Sequence, residues 1–105
     1  NQLTSLDVSN NTALLRLDCW NNRLTSLDIS VNTALTNLTC SGNQLTGLDV
    51  SNNIALLWLS LRRMPSLHKV CVWEMPFPPS GVYVNTANSP NVYFTTDCSG
   101  TNKEN

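Results

Sequence analysis

Leucine and other apolar residues recur along the first two thirds of the chain with alternating intervals of three and two positions. The segment that begins at Leu3 returns at Leu24 and again at Leu45, so the chain is built from a 21-residue unit. Within each unit the pattern Leu-x-x-Leu-x-apolar occurs twice. This spacing brings one side chain inward at a bend and two more inward on alternate residues of a short strand. Each unit therefore predicts a coil with two short extended arms.

A single coil cannot bury these apolar side chains, so successive coils must stack on one another. Equivalent residues then form ladders along parallel strands about 4.8 Å apart. The predicted inward ladders are Leu3/Leu24/Leu45, Leu6/Leu27/Leu48, Val8/Ile29/Val50, Leu14/Leu35/Leu56 and Leu17/Leu38/Leu59. Cys19 and Cys40 hold the last inward position of one arm. We predict a ladder of free thiols there, because unpaired cysteine behaves as a small hydrophobic residue.

Asparagines end both apolar patterns of the repeat. Asn22 and Asn43 follow one arm, and Asn11, Asn32 and Asn53 follow the other. An inward amide at a turn can satisfy backbone groups that have no strand partner. The repetition predicts buried asparagine ladders. For the second set, ordinary surface turns are the alternative.

The full pattern, Leu-x-x-Leu-x-Leu/Cys-x-x-Asn-x-Leu-x-x-Leu-Asp-Leu/Val, resembles the 21-residue leucine-rich repeats of bacteria. Such repeats occur in secreted or surface proteins of gut Bacteroidetes and in the cysteine-ladder internalins. The resemblance covers roughly residues 1–62, with a degenerate half-repeat to about residue 73. It implies a mainly β, right-handed leucine-rich-repeat solenoid with short parallel strands and little helix. It also implies an extracellular or cell-surface location and protein or glycan binding on a concave sheet.

Departures from the repeat mark its predicted end. Leu61 replaces the cysteine, and Arg62-Arg63-Met64 replaces the asparagine turn. Prolines at positions 76, 78 and 79 then break the coil, because proline lacks the N–H that a strand ladder needs. We assign residues 1–63 to the repeats, 64–73 to a closing half-repeat with a strand at 69–73, 74–99 to a C-terminal β cap with strands at 82–84 and 91–96, and 100–105 to a disordered tail.

The first coil has no comparable cover in the sequence. The chain does not begin with Met, shows no signal peptide, and starts with Asn1-Gln2, which match the end of a preceding repeat. We expect a fragment of a longer protein. An uncovered parallel edge can pair with another chain, so an edge-to-edge homodimer through the first coil is a further hypothesis.

The two remaining cysteines differ from the ladder pair. Cys71 lies between the inward Val70 and Val72 and so points away from the core, and Cys98 ends the last predicted strand. In an oxidising compartment a Cys71–Cys98 disulfide would tie the cap to the final coil and stabilise the fold by about 2–4 kcal/mol. Two reduced thiols are the alternative.

Charge and residue types disfavour several classes of function. Only 12% of residues are charged and the net charge is −1, so the chain lacks the basic surface that binds nucleic acid. Its apolar runs are too short to cross a membrane. His68, the only histidine, has no nucleophile at a recognisable spacing. We therefore predict no enzyme activity, no cofactor and no metal site.

Asp7, Asp28 and Asp49 form a further ladder with the period of the repeat. Each is followed two residues later by serine, so each carboxylate can accept hydrogen bonds within its turn. We predict this structural role. Calcium binding is the alternative, because calcium prefers oxygen ligands.

Residue types vary from coil to coil on one outward face, whereas the other repeat positions are nearly constant. This face places tryptophans beside arginines, which are enriched where binding energy concentrates, and aromatic faces also stack on sugars. The predicted ligand-binding residues are Arg16, Asp18, Trp20, Asn37, Thr39, Trp58, Ser60, Arg62 and Trp73. For Trp73, packing against a neighbouring coil or the cap is the alternative. We predict a non-catalytic binding module with a protein partner; carbohydrate binding, or a structural stalk or cap of a larger protein, are the alternatives.

Overall fold

The computed structural model describes residues 3–98, which form two parallel β-sheets joined by turns, with no helix among them. The strands are β1 (Arg16–Asp18), β2 (Asn37–Thr39), β3 (Gly47–Asp49), β4 (Trp58–Ser60), β5 (Lys69–Cys71), β6 (Tyr83–Asn85) and β7 (Tyr93–Thr95). Strands β1, β2, β4 and β6 form a four-strand sheet, and β3, β5 and β7 form a three-strand sheet. The predicted mainly β solenoid of short parallel strands is confirmed.

The strand register follows the sequence repeat. Leu38 lies between Leu17 and Leu59 in the four-strand sheet, and Leu48 lies opposite Val70 in the three-strand sheet. The predicted ladder positions of the second and third coils form the core; the fully buried leucines among them are Leu24, Leu35, Leu38, Leu45, Leu56 and Leu59. In the first coil, Leu3 is exposed and Leu6, Leu14 and Leu17 are only partly buried.

In the first two coils the arm that begins at Leu3 and at Leu24 is not a regular strand. Backbone hydrogen bonds nevertheless join successive coils at this arm, from Arg23 N to Leu3 O at 2.7 Å and from Gln44 N to Leu24 O at 2.8 Å. β1 remains an edge strand of the four-strand sheet. The hypothesis of an edge-to-edge homodimer therefore stays a prediction.

The strands predicted near 69–73, 82–84 and 91–96 are present, with slightly different bounds. β6 and β7 pair in parallel with β4 and β5, so they extend both existing sheets by a fourth coil. Phe77 lies inside this coil, with its ring centroid 5.2 Å from that of Trp73 and 5.1 Å from that of Phe94. The assignment of 74–99 as a cap stays a prediction, and the predicted tail lies outside the described residues.

The turn after the four-strand sheet repeats one backbone conformation in every coil. Asn21, Gly42, Arg63 and Asn88 have φ angles of 56°, 72°, 56° and 64°. The N–H groups of the first three donate to a carbonyl of the following coil at 2.8–2.9 Å. The left-handed conformation thus aligns the turn with its neighbour, and it is adopted even where the residue is not glycine.

Asparagine side chains satisfy the backbone inside these turns. Asn43 donates through Nδ2 to Cys19 O and Cys40 O, both at 2.9 Å, and accepts a hydrogen bond from Leu24 N at 3.1 Å. Asn32 and Asn53 are fully buried and donate to carbonyls of the preceding coil. The buried asparagine ladders are confirmed for these three residues, whereas Asn11 is exposed and Asn22 is partly buried.

In the last two coils, other residues replace the asparagine of this ladder. Met64 stands one repeat after Asn43 and is fully buried. In the fourth coil, Ser89 Oγ accepts a hydrogen bond from Met64 N at 2.9 Å and donates one to Leu61 O. A serine hydroxyl therefore satisfies the backbone groups at this turn, next to an apolar methionine.

Cys19 and Cys40 are buried, unpaired and stacked in successive coils, as predicted. Each Sγ lies near a carbonyl oxygen of the following coil, at 3.6 Å from Thr39 O and 3.9 Å from Ser60 O. Burial raises the pKa of Cys19 to about 11 and raises that of Cys40 further. Both thiols are therefore protonated at neutral pH and serve as packing groups.

Candidate functional site

The outward side chains of β1, β2, β4 and β6, together with the residues two positions beyond each strand, form a surface that we name the four-strand face. Parallel register arranges them in columns along the solenoid. One column is Arg16, Asn37, Trp58 and Tyr83; the next is Asp18, Thr39, Ser60 and Asn85. Trp20 and Arg62 follow β1 and β4. The structure thus brings eight of the nine predicted ligand-binding residues to one sheet.

Two large rings dominate this face. Trp58 and Tyr83 stack with centroids 4.4 Å apart and 30° between their planes. The two residues remain 45% and 46% exposed, and Trp20 is 50% exposed. Tryptophan usually buries most of its surface in a monomer, so two tryptophans left this open on one face are unusual.

Apolar aliphatic side chains border the aromatic residues. Leu15 and Leu57 immediately precede β1 and β4, and both are exposed. Together with Trp58 and Tyr83 they place apolar surface on neighbouring coils. A polar rim around such a patch is typical of protein interfaces, and Asn37 and Thr39 supply partly exposed polar groups beside it.

Arg16 and Asp18 form an ion pair on this face. Arg16 Nε donates to Asp18 Oδ2 at 3.0 Å, and both side chains are exposed. An exposed pair of this kind adds little to folding stability. The Arg16 guanidinium has further N–H donors beyond the one used in this pair.

Ser60 is the exception within the sheet. It is buried, and its Oγ lies 2.9 Å from the Oγ of the equally buried Ser41. Ser41 Oγ also accepts a hydrogen bond from Arg62 N at 3.0 Å. Since its hydroxyl is occupied inside the fold, Ser60 supports the position of neighbouring residues and is not an exposed ligand contact.

Trp73 does not lie on the four-strand face. It follows β5 of the three-strand sheet and packs edge-on against Phe77, with an interplanar angle of 87°. Trp73 therefore packs within the fold, which was the alternative prediction, because the fourth coil covers its ring. The prediction that Trp73 shares a face with the other eight residues is therefore wrong, and a ligand contact at Trp73 stays a prediction.

Sequence reasoning missed Tyr83 and Asn85, which it assigned to the cap. Trp58 and Tyr83 are register partners, yet they lie further apart along the chain than the repeat period that relates Asn37 to Trp58. The proline-containing insertion between β5 and β6 hides this alignment. The alternation of Val82, Tyr83 and Val84 was the only signal, and it predicts a strand without indicating its sheet.

The aspartate ladder lies on the other arm and has the predicted structural role. The Oδ1 of Asp7, Asp28 and Asp49 accepts from the backbone N and Oγ of the serine two residues later, at 2.5–3.0 Å. These hydrogen bonds lower the pKa of Asp7 and Asp28. Calcium binding by this ladder stays an untested alternative.

Comparisons with known proteins give one informative similarity. No family model and no curated protein matches the sequence. A solved structure, described as the functional domain of InlJ from Listeria monocytogenes that includes a cysteine ladder, is similar with a TM-score of 0.68 and 28% identity. The similarity covers 88% of this chain and 24% of that one, so the chain spans about a quarter of its length.

The described residues contain no helix long and apolar enough to cross a membrane. The sequence repeat, the two parallel sheets, the buried Cys19/Cys40 ladder and the similarity to InlJ agree with one another. The predicted resemblance to the cysteine-ladder internalins is confirmed at the level of fold. The chain is a β-solenoid of leucine-rich coils with a Cys19/Cys40 ladder, similar in fold to the functional domain of InlJ.

Proposed function

We propose that the chain is a non-catalytic module that binds a protein partner through the four-strand face. The observation that carries the proposal is the Trp58–Tyr83 stack, two large rings that remain nearly half exposed beside the exposed Leu57. Burying such rings against a partner releases hydrophobic free energy at little entropic cost, because each side chain has few rotatable bonds.

The stack favours a protein over a sugar as the ligand. The stack closes one face of each ring, so the pair offers fewer open ring faces than two separate rings would. Sugar stacking needs open ring faces, whereas ring edges and a flanking leucine suit a pocket in a protein surface. The arginines at positions 16 and 62 add directional donors for carboxylates or backbone carbonyls.

The location that fits this function is outside the cell or on its surface, in a bacterium. The disulfide between Cys71 and Cys98 supports it, because such bonds persist in oxidising compartments. The fold similarity to the InlJ domain supports a repeat-based interaction module. Catalysis is not part of the proposal: His68 is exposed, and its Nδ1 lies 2.7 Å from the carbonyl oxygen of Ser66.

The test compares the full chain with single variants on an array of purified extracellular proteins. Trp58→Ala and Tyr83→Ala should each weaken a protein interaction at least about tenfold, the loss typical of a residue at the centre of an interface. Tyr93→Ala is the matched control, since Tyr93 is 53% exposed but belongs to the three-strand sheet. Protein binding that is indifferent to Trp58 and Tyr83 would contradict the proposal.

A carbohydrate ligand is the second candidate, and Trp20 is the residue that favours it. Trp20 is half exposed and takes no part in the Trp58–Tyr83 stack, so its ring can offer a face to a sugar. Binding to a glycan array that Trp20→Ala abolishes and Tyr83→Ala retains would favour this candidate. Absence of any ligand on both arrays would instead favour a structural stalk.

A further inference from the structure

Cys71 occupies a column that aspartate holds in the preceding coils. Asp7, Asp28 and Asp49 form this column, and Cys71 lies opposite Asp49 in the strand register. In each earlier coil the aspartate accepts two hydrogen bonds from the serine two residues later. The residue two positions after Cys71 is Trp73, so this coil has neither the aspartate nor the serine of that hydrogen-bonded turn. The coil presents a sulfur atom where a carboxylate would stand.

Three atoms of the kinds that bind metals meet at this place. One carboxylate oxygen of Asp49 and the Sγ atoms of Cys71 and Cys98 all lie within 4.8 Å of one another. Cys71 and Cys98 are joined as a disulfide, with their Cα atoms 5.5 Å apart. Asp49 uses Oδ1 to cap Ser51, and a carboxylate has further acceptor capacity on its second oxygen.

A cavity of about 300 Å³ opens beside these three residues. Gly47 lines this cavity. The first two coils have serine at the equivalent position, and because glycine lacks that side chain the entrance to the cavity is wider here. The cavity can hold a water molecule as a further ligand. Lys69 also lines it, and its ammonium group can balance the negative charge left when two thiolates and a carboxylate bind a divalent ion.

We propose that in the reduced chain Asp49, Cys71 and Cys98 bind one thiophilic divalent cation of the Zn²⁺ or Cd²⁺ kind, with water as a fourth ligand. Thiolates and carboxylates are both zinc ligands, and three protein ligands with water in the fourth position are a known zinc arrangement, whereas calcium takes six or more oxygens. The site and the disulfide exclude one another, because both use the same two sulfur atoms.

The chemistry between the two states balances with an external dithiol. The dithiol is oxidised to its own disulfide and transfers two electrons and two protons to the Cys71–Cys98 bond, which breaks to give two thiols. The cation then displaces both thiol protons to solvent as the two metal–sulfur bonds form. Reoxidation requires loss of the cation, so metal binding protects the dithiol state.

The experiment uses the full chain, reduced with a dithiol and desalted without oxygen. Titration with Cd²⁺ is followed by the ultraviolet absorption of cadmium–thiolate bonds, and Zn²⁺ content is measured after dialysis. We expect one ion per reduced chain and none per oxidised chain. Failure of the reduced chain to bind one ion, or equal binding by the oxidised chain, would overturn the proposal.

Two sets of variants locate the ion. Cys71→Ser combined with Cys98→Ser should abolish binding; if binding persists, the ion sits at Cys19 and Cys40 and the proposal is wrong. Asp49→Asn keeps the acceptor for Ser51 but removes the charge, and should weaken binding at least about tenfold, the cost of losing even an outer-shell group. Asp28→Asn, one coil away in the same column, should leave binding unchanged, and an equal loss in this control would refute the assignment of Asp49.

Discussion

Trp58 stacks on Tyr83 with ring centroids 4.4 Å apart, although a complete coil with a proline-containing insertion separates them along the chain. The parallel pairing of β4 with β6 brings the two residues into the same column of the sheet. The contact joins the last regular repeat to the irregular coil that follows. It also places two exposed aromatic rings side by side on the four-strand face.

Because the rings stack, the effects of mutating these two residues on the free energy of unfolding should depend on each other. In a double-mutant cycle with Trp58→Ala and Tyr83→Ala, we expect a coupling free energy of about 0.5–1.5 kcal/mol, the value of an aromatic pair beyond its buried area. Urea unfolding of the two single variants and the double variant measures it. The pair Trp58→Ala with Tyr93→Ala joins residues on different sheets and should be additive. A coupling near zero for Trp58 and Tyr83 would mean that the rings do not stack in solution.

Asn43 should be among the most costly polar residues to remove. Asn43→Ala leaves Leu24 N and Cys40 O without their side-chain partner inside the core, whereas Cys19 O keeps the hydrogen bond from Asn22 Nδ2 at 3.0 Å. Unsatisfied buried groups cost about 1–3 kcal/mol each, so we expect a loss of at least about 2 kcal/mol in the free energy of unfolding. Asn10→Ala, at an exposed turn position, is the control and should change stability by less than about 0.5 kcal/mol. Equal losses for the two variants would argue against a buried ladder.

Gly42 should resist substitution because of its backbone conformation. Its φ is 72°, and an added Cβ would lie 2.3 Å from Asn21 Oδ1. We expect Gly42→Ala to destabilise the protein by about 1–2 kcal/mol, the cost of a left-handed conformation for a residue with a side chain. Gly47→Ala serves as the comparison, since its Cβ would meet only Lys69 O, at 3.6 Å. Thermal unfolding of both variants checks this, and a Gly42→Ala protein as stable as Gly47→Ala would contradict it.

The cysteine ladder should make the fold sensitive to alkali. Burial, with a smaller contribution from the charge of Asp18, raises the pKa of Cys19 from 9.0 to about 11. A group whose pKa is higher in the folded state stabilises the fold below its unfolded pKa and loses that contribution as the pH rises through the folded value. The free energy of unfolding should therefore fall between pH 9 and about 11.

The control for this effect is the Cys19→Ala and Cys40→Ala double variant. It removes both titrating thiols, so its unfolding midpoint in urea should depend less on pH over the same range. The pKa of Cys40 is raised mainly by burial and secondly by Cys19, so the two sites are best removed together. Identical pH profiles for the two proteins would show that the thiols do not titrate on unfolding.

The repeat predicted the core and much of the candidate face. Every inward ladder follows from the constant period of the repeat, because a coil can bury its leucines only against an identical neighbour. The same period placed Arg16, Asn37 and Trp58 in one column, as the register shows. The repeat could not predict the position of Trp73. The pattern treats Trp73 like any other outward residue, whereas in the structure the fourth coil covers it.

The solenoid, its two-armed coils, the asparagine and cysteine ladders and most of the four-strand face follow from local periodicity, so they could be predicted from the residues alone. The position of residues 82–96 depends on the three-dimensional pairing of coils, since their spacing departs from the repeat and parallel pairing alone reveals that Tyr83 joins Trp58. The tertiary structure also decided that Ser89 satisfies the turn beside Met64, and that Asp49, Cys71 and Cys98 meet. These contacts join residues of different coils at irregular separations, and no periodic pattern encodes them.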